Sequence, residues 1–269
     1  MEVFKYSFMI NAFIGGLLIS ILCSFISFYI VSRKISFIGV GIAHSAFGGL
    51  AIGVFFGIFP FVTALVFAVL AGVIIVTLVE KTRLQEDSLI GILFSFSMAL
   101  GIVLISLKKE YTTNLFGYLF GNILSVTKND LYLYAVLTGV LLFILIFYFK
   151  EFLILSFDET YGKVLGLPMK SFNYLLIIII AITVIISIKL VGIILISALL
   201  VIPTATAQLI FKDYKKIVPF SIILSIAIIF SGLYISFYSK VPSGGLIVII
   251  YTFIFFIFWV VNSIKRKIK

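Results

Sequence analysis

Ile35-Ser-Phe-Ile-Gly-Val-Gly-Ile-Ala-His-Ser-Ala-Phe-Gly-Gly-Leu-Ala-Ile-Gly53 carries no acidic or permanently charged side chain. As a helix it is long enough to cross the ~30 Å of hydrocarbon in a bilayer. It also holds His44, the only histidine among 269 residues. An imidazole at membrane depth costs free energy unless it faces a partner, a watery cavity or a permeating solute, so His44 is a candidate site. A structural imidazole satisfied by a neighbouring helix's carbonyl or serine is the competing reading. Gly41, Ser45, Gly49 and Gly53 recur every four residues and form a ridge of small side chains that lets helices approach closely. His44 and Gly48 lie beside that ridge, which predicts an imidazole turned into an interhelical seam.

Comparable apolar blocks recur on both sides of this stretch. The complete series is about 6–31, 35–57, 60–79, 88–107, 131–149, 171–188, 190–210, 217–237 and 244–264. With 63% hydrophobic and 11% charged residues, no water-facing surface of a soluble domain can be assembled. Blocks of about twenty residues fit membrane helices, whereas the strands of a membrane barrel are about ten residues long with alternating polarity. The predicted fold is all-α, a polytopic transmembrane bundle of about nine spans forming one domain over 1–269. The first block is too long and too poorly basic at its start for a cleaved signal peptide, and is read as the first span. Placing the N-terminus outside and the C-terminus inside puts 14 of the 20 Lys and Arg in the cytoplasm, the arrangement that the positive-inside rule favours. Those charges are scattered over span ends and form no stripe, which argues against nucleic acid as a partner. The turn at Lys189 is nearly absent, so spans six and seven are expected to be merged or reshaped. Segment 111–126 is too short and polar to cross, and is read as interfacial or re-entrant.

The chemistry open to this chain is narrow. Cys23 is the only cysteine and lies mid-span, so neither a disulfide framework nor a thiolate cluster is available. All ten acidic residues sit near block boundaries, which speaks against a membrane enzyme built on paired carboxylates. There is no Gly-x-Ser-x-Gly elbow and no phosphate-binding loop, so no nucleotide or other cofactor is expected on this chain. Two further clusters stand out. In Val191–Ala207, Pro203 stands beside Thr204 and Thr206, and proline removes a backbone donor, as in the broken helices that line transporter pathways. The cytoplasmic stretch Ser156-Phe-Asp-Glu-Thr-Tyr-Gly-Lys-Val-Leu-Gly-Leu-Pro168 reads as a short helix capped by Asp158 or Thr160 and ended near Gly166 and Pro168.

Taken in order, these clusters resemble the membrane permeases of the zinc/manganese/iron family of ABC importers. Gly39-Val-Gly-Ile-Ala-His-Ser45 echoes the family's Gly-Asp-x-x-x-His-Ala/Ser. Glu86-Asp-Ser-Leu-Ile-Gly-Ile-Leu-Phe94, Leu119–Leu131 and Val191–Ala207 follow family wording, so the likeness runs nearly end to end. The resemblance implies a homodimeric permease in the cytoplasmic membrane, similar in plan to vitamin B12-type importer permeases and surrounded by lipid. It implies two cytosolic ATPase subunits that carry the ATP and an extracytoplasmic metal-binding protein that delivers the ion. The ATPases would dock on the coupling helix of 156–168, through Asp158, Glu159, Gly162, Gly166 and Pro168. His44 would be the metal ligand, with Ser45, Asp87, Pro203 and Thr204 along the pathway or its gates. One departure stands out: Val40 occupies the position of the family's aspartate, four residues before the histidine. Without that carboxylate the cargo reading tilts to zinc, ahead of manganese or iron, because manganese prefers oxygen ligands. The rival readings are a gradient-driven carrier, or an ABC permease for a metal chelate or small organic solute.

Overall fold

The computed structural model describes residues 5–82, 84–108 and 126–268. The described residues fold into helices: α1 Ser7–Ser32, α2 Ile38–Phe56, α3 Pro60–Lys81, α4 Glu86–Leu107, α5 Lys128–Phe147, α6 Phe149–Phe157, α7 Glu159–Val164, α8 Met169–Leu199, α9 Ile202–Ile210, α10 Tyr214–Ser239 and α11 Ser243–Ile268. Among them, nine stretches are long and apolar enough to cross a membrane, and they coincide with the nine blocks of the sequence to within a few residues. The expected interfacial segment 111–126 lies outside the described residues, save for Val126. Local chemistry sets several helix ends. Pro60 opens α3, where its missing N–H has no intrahelical partner to lose. The Asp213 carboxylate caps α10 by accepting from the Lys215 amide at 3.0 Å.

The junction near Lys189 is reshaped. Helix runs from Met169 to Leu199, and the interruption falls at Gly192, with φ 77° and ψ 169°. That region of backbone space is open essentially to glycine alone. An unbroken helix of 31 residues would be about 46 Å long, too much for one crossing, and the break divides it between two spans. A second interruption at Leu200–Val201 precedes α9, so Pro203 stands in the first turn of a new helix and does not kink an existing one. Sequence reasoning put the disruption at the proline; the backbone places it one turn earlier, with proline starting the next segment.

The described chain divides into two compact units. The first comprises 5–31, 126–143 and 189–268. Within it the Ser24 and Ser225 hydroxyls hydrogen-bond at 2.6 Å between α1 and α10, and a Cβ on Gly232 would meet Ile247 of α11. Close backbone approach and buried hydroxyl pairs replace the hydrophobic drive that lipid cannot supply between helices. The second unit comprises 32–82, 84–108 and 144–188, and contains His44.

Candidate metal pathway

α2 is packed on two sides by residues without bulk. Toward α3, a Cβ on Gly49 would come within 2.7 Å of the Thr63 carbonyl oxygen and 2.8 Å of the Ala64 Cα, and one on Gly53 would meet the Thr63 hydroxyl. Toward α4, a Cβ on Gly41 would strike Ile90, and one on Gly48 would lie 2.8 Å from the Ser97 carbonyl oxygen. Gly101 of α4 returns the approach against Phe47 and Ala51 of α2. Contacts that advance in step, 41 with 90, 48 with 97 and 51 with 101, describe two helices running side by side in the same direction. At the outer end Lys108 donates to the Val54 carbonyl at 2.6 Å, placing a cation on the last turn of α2, where orphan carbonyls and the helix dipole favour it.

His44 lies inside this seam. Its ring stands edge-on to Phe94, with centroids 4.8 Å apart and planes at 85°. Nδ1 is enclosed and has no hydrogen-bond partner, and neither does the buried hydroxyl of Ser45 beside it. The side chain as a whole is half-buried. One turn below, Val40 borders a half-open cavity of about 230 Å³ at the cytoplasmic foot of the seam, lined also by Phe37, Gly41, Ile90, Gly91 and Phe94. Among the described residues, Asp87 is the only charged side chain on its wall. Phe94 therefore touches both the imidazole and the cavity, and nothing in the sequence distinguished it from the other phenylalanines. Among the described residues, no three His, Cys, Asp or Glu side chains come together as a metal site. The described residues of this seam thus bring together one imidazole and, lower down, one carboxylate.

In the first unit, Pro203, Thr204 and Thr206 are buried on α9. Thr206 donates to the Ile202 carbonyl at 2.8 Å, whereas the Thr204 hydroxyl is enclosed without a partner.

The short helix α7 is built by the residues the sequence singled out. The Asp158 carboxylate accepts from the Tyr161 amide at 2.9 Å, making it the N-cap. Leu167 N–H donates to Gly162 O at 3.1 Å and Gly166 N–H to Lys163 O at 3.0 Å, the paired bonds of a Schellman ending, with Gly166 at φ 76°. Glu159 pairs with Lys163 one turn on at 2.7 Å. Gly162 faces inward, where a Cβ would collide with Met169. Beside the Glu159–Lys163 pair, the surface around α7 exposes apolar side chains: Phe157, Tyr161 and Leu165 are exposed and Val164 is 81% exposed. These four were not singled out from the sequence; apolar side chains on a water-facing loop were the available signal.

A family model described as the ABC 3 transport family matches residues 5–262. The chain is 34% identical to the manganese import system permease protein ScaB of Streptococcus gordonii, over 98% of this chain and 96% of that protein. It is 33% identical to the manganese transport system membrane protein MntC of Listeria monocytogenes, over 94% of this chain and 90% of the relative. Among solved structures it resembles PsaBC from Streptococcus pneumoniae in complex with Fab, with a TM-score of 0.84 and 32% identity, covering 96% of this chain and 93% of that one.

Proposed function

Since the chain belongs to the ABC 3 transport family, and is thus a multi-pass membrane permease of the ABC metal importers, we propose that it forms one half of a homodimer that carries a divalent first-row transition metal ion inward. Two cytosolic ATPase subunits dock on α7 and drive the cycle, and an extracytoplasmic binding protein hands the ion to the outer mouth. The observation that carries this reading is the His44 imidazole, held in the α2–α4 seam with Nδ1 enclosed and unpartnered above a cavity bearing one carboxylate. A group left without a partner at membrane depth is supported by the ion it meets in transit.

One imidazole per protomer is too little to trap an ion, which suits a conduit, since a permeation site must release what it binds. Two His44 rings across the dimer axis, completed by water, Ser45 or carbonyls, hold the ion briefly. Asp87 then draws it toward the cytoplasm. Relatives named for their cargo are manganese and iron systems, whereas the donor set here is nitrogen-based because Val40 supplies no carboxylate. Imidazole sites favour zinc over manganese, so zinc competes well in this chain.

The test is uptake of radiolabelled zinc and manganese by proteoliposomes containing the permease and its ATPase. His44→Ala is expected to abolish most metal uptake while the ATPase still co-purifies. Undiminished uptake would assign His44 to packing, and a permease that retains no ATPase would overturn the importer reading as a whole.

A further inference from the structure

Gly162 brings α7 directly against Met169, the first residue of α8, which is 1% exposed. With no side chain on Gly162 to yield, a displacement of α7 passes to the start of α8. The next turn and a half of α8 holds three side chains that reach other elements of the same unit. Lys170 pairs with Glu80 of α3 at 3.2 Å, and Tyr174 shares a hydrogen bond with Thr77 of α3 at 3.0 Å. Asn173 Oδ1 accepts from the Arg33 guanidinium at 2.7 Å. Arg33 is the first residue of the turn between α1, which ends at Ser32, and α2, the helix of His44, which begins at Ile38.

These three ties are unequal. The Lys170 ammonium is 70% exposed, and an exposed ion pair contributes little. The Tyr174–Thr77 bond is neutral. The Arg33–Asn173 bond is charge-assisted and partly buried, and of the three it alone reaches the turn that joins α1 to α2. Burial lowers the Arg33 pKa from its ordinary value, while the carboxylates of Glu86 on α4 and Glu159 on α7 act to raise it. The guanidinium thus lies within the field of carboxylates on both α4 and α7.

We propose that the first two turns of α8 are the joint through which α7 moves the pathway, and that the Arg33–Asn173 hydrogen bond is the positioning contact that passes this movement to α2. The inference rests on the importer reading above, in which α7 receives the ATPase. Discrete packed elements joined by short polar contacts are how such coupling travels.

The experiment measures metal moved per ATP hydrolysed in proteoliposomes containing the permease with its ATPase, for Asn173→Ala and Asn173→Asp. Asn173→Ala is expected to keep ATPase co-purification and ATP hydrolysis while the ratio falls about fivefold or more; Asn173→Asp, which still accepts from Arg33, should stay within about twofold of the parent. A parental ratio in Asn173→Ala overturns the joint, as does an equal loss in both variants. If Asn173→Ala does not assemble, Arg33→Lys is expected to lower the ratio, and a parental ratio there overturns the joint. A parent protein that retains no ATPase or moves no metal instead overturns the importer reading, so the two failures are distinct.

Discussion

The His44 imidazole and the Phe94 ring meet edge to face, 4.8 Å between centroids, at the level where the α2–α4 seam gives way to the cavity beneath it. An aromatic contact of this kind contributes about 0.5–1.5 kcal/mol beyond area burial, enough to hold the ring but not to satisfy its enclosed nitrogen. Phe94 thus separates the imidazole from the cytoplasmic cavity. Replacing it by alanine is expected to raise ATP-independent leakage of metal from loaded proteoliposomes severalfold, while Phe94→Leu retains most of the barrier. Equal leakage from the parent and the alanine variant would show that the ring blocks nothing.

Two glycines on opposite sides of the same seam make a paired stability test. A Cβ at Gly48 would press on the backbone of Ser97, which cannot swing aside, whereas one at Gly91 meets nothing within 4 Å. Gly48→Ala should destabilise the protein by about 1–3 kcal/mol through overpacking. Gly91→Ala should be neutral or stabilising by up to ~1 kcal/mol through helix propensity. Melting curves in detergent distinguish the two, and a Gly48→Ala melt matching the parent would mean that α2 and α4 are free to separate.

Val40→Asp restores a carboxylate one turn from His44, on the cavity wall that already bears Asp87. Oxygen donors suit manganese better than a lone imidazole does, so the variant is expected to improve manganese uptake relative to zinc. Competition between the two ions for transport reads this directly. A preference that does not move would place the discriminating ligands elsewhere along the pathway.

The docking face of α7 is best probed at Val164, whose side chain is free in solvent. Val164→Asp should lower the yield of co-purified ATPase without shifting the melting temperature, because no internal contact is lost. Gly166 is a poorer probe: at φ 76° any side chain strains the turn, so loss of docking there would be confounded with loss of the helix ending. An ATPase yield unaffected by the charge at Val164 would count against α7 as the receiving surface.

The expectations that rested on local chemistry and on transfer to lipid match the structure. Blocks of about twenty apolar residues became helices of that length, and Asp158 and Gly166 bracket a short helix because capping requires only near neighbours. His44 stood out because an imidazole is costly wherever hydrocarbon surrounds it. The break at Gly192 was not legible in the same way. Lys189 marked a junction three residues away, but Val191 and Ile193 on either side of Gly192 are apolar, so polarity did not say at which residue the helix breaks.

What only the tertiary structure decided was which residues face one another. Phe94 meets His44 from fifty positions away, Asn173 meets Arg33 from still farther, and Gly162 turns inward while Val164 beside it turns out. In water, polar and apolar faces announce which side of a helix is covered. In a membrane, lipid and a neighbouring helix ask for the same apolar side chains, so the sequence determines that a helix spans while shape complementarity between helices determines what each face touches.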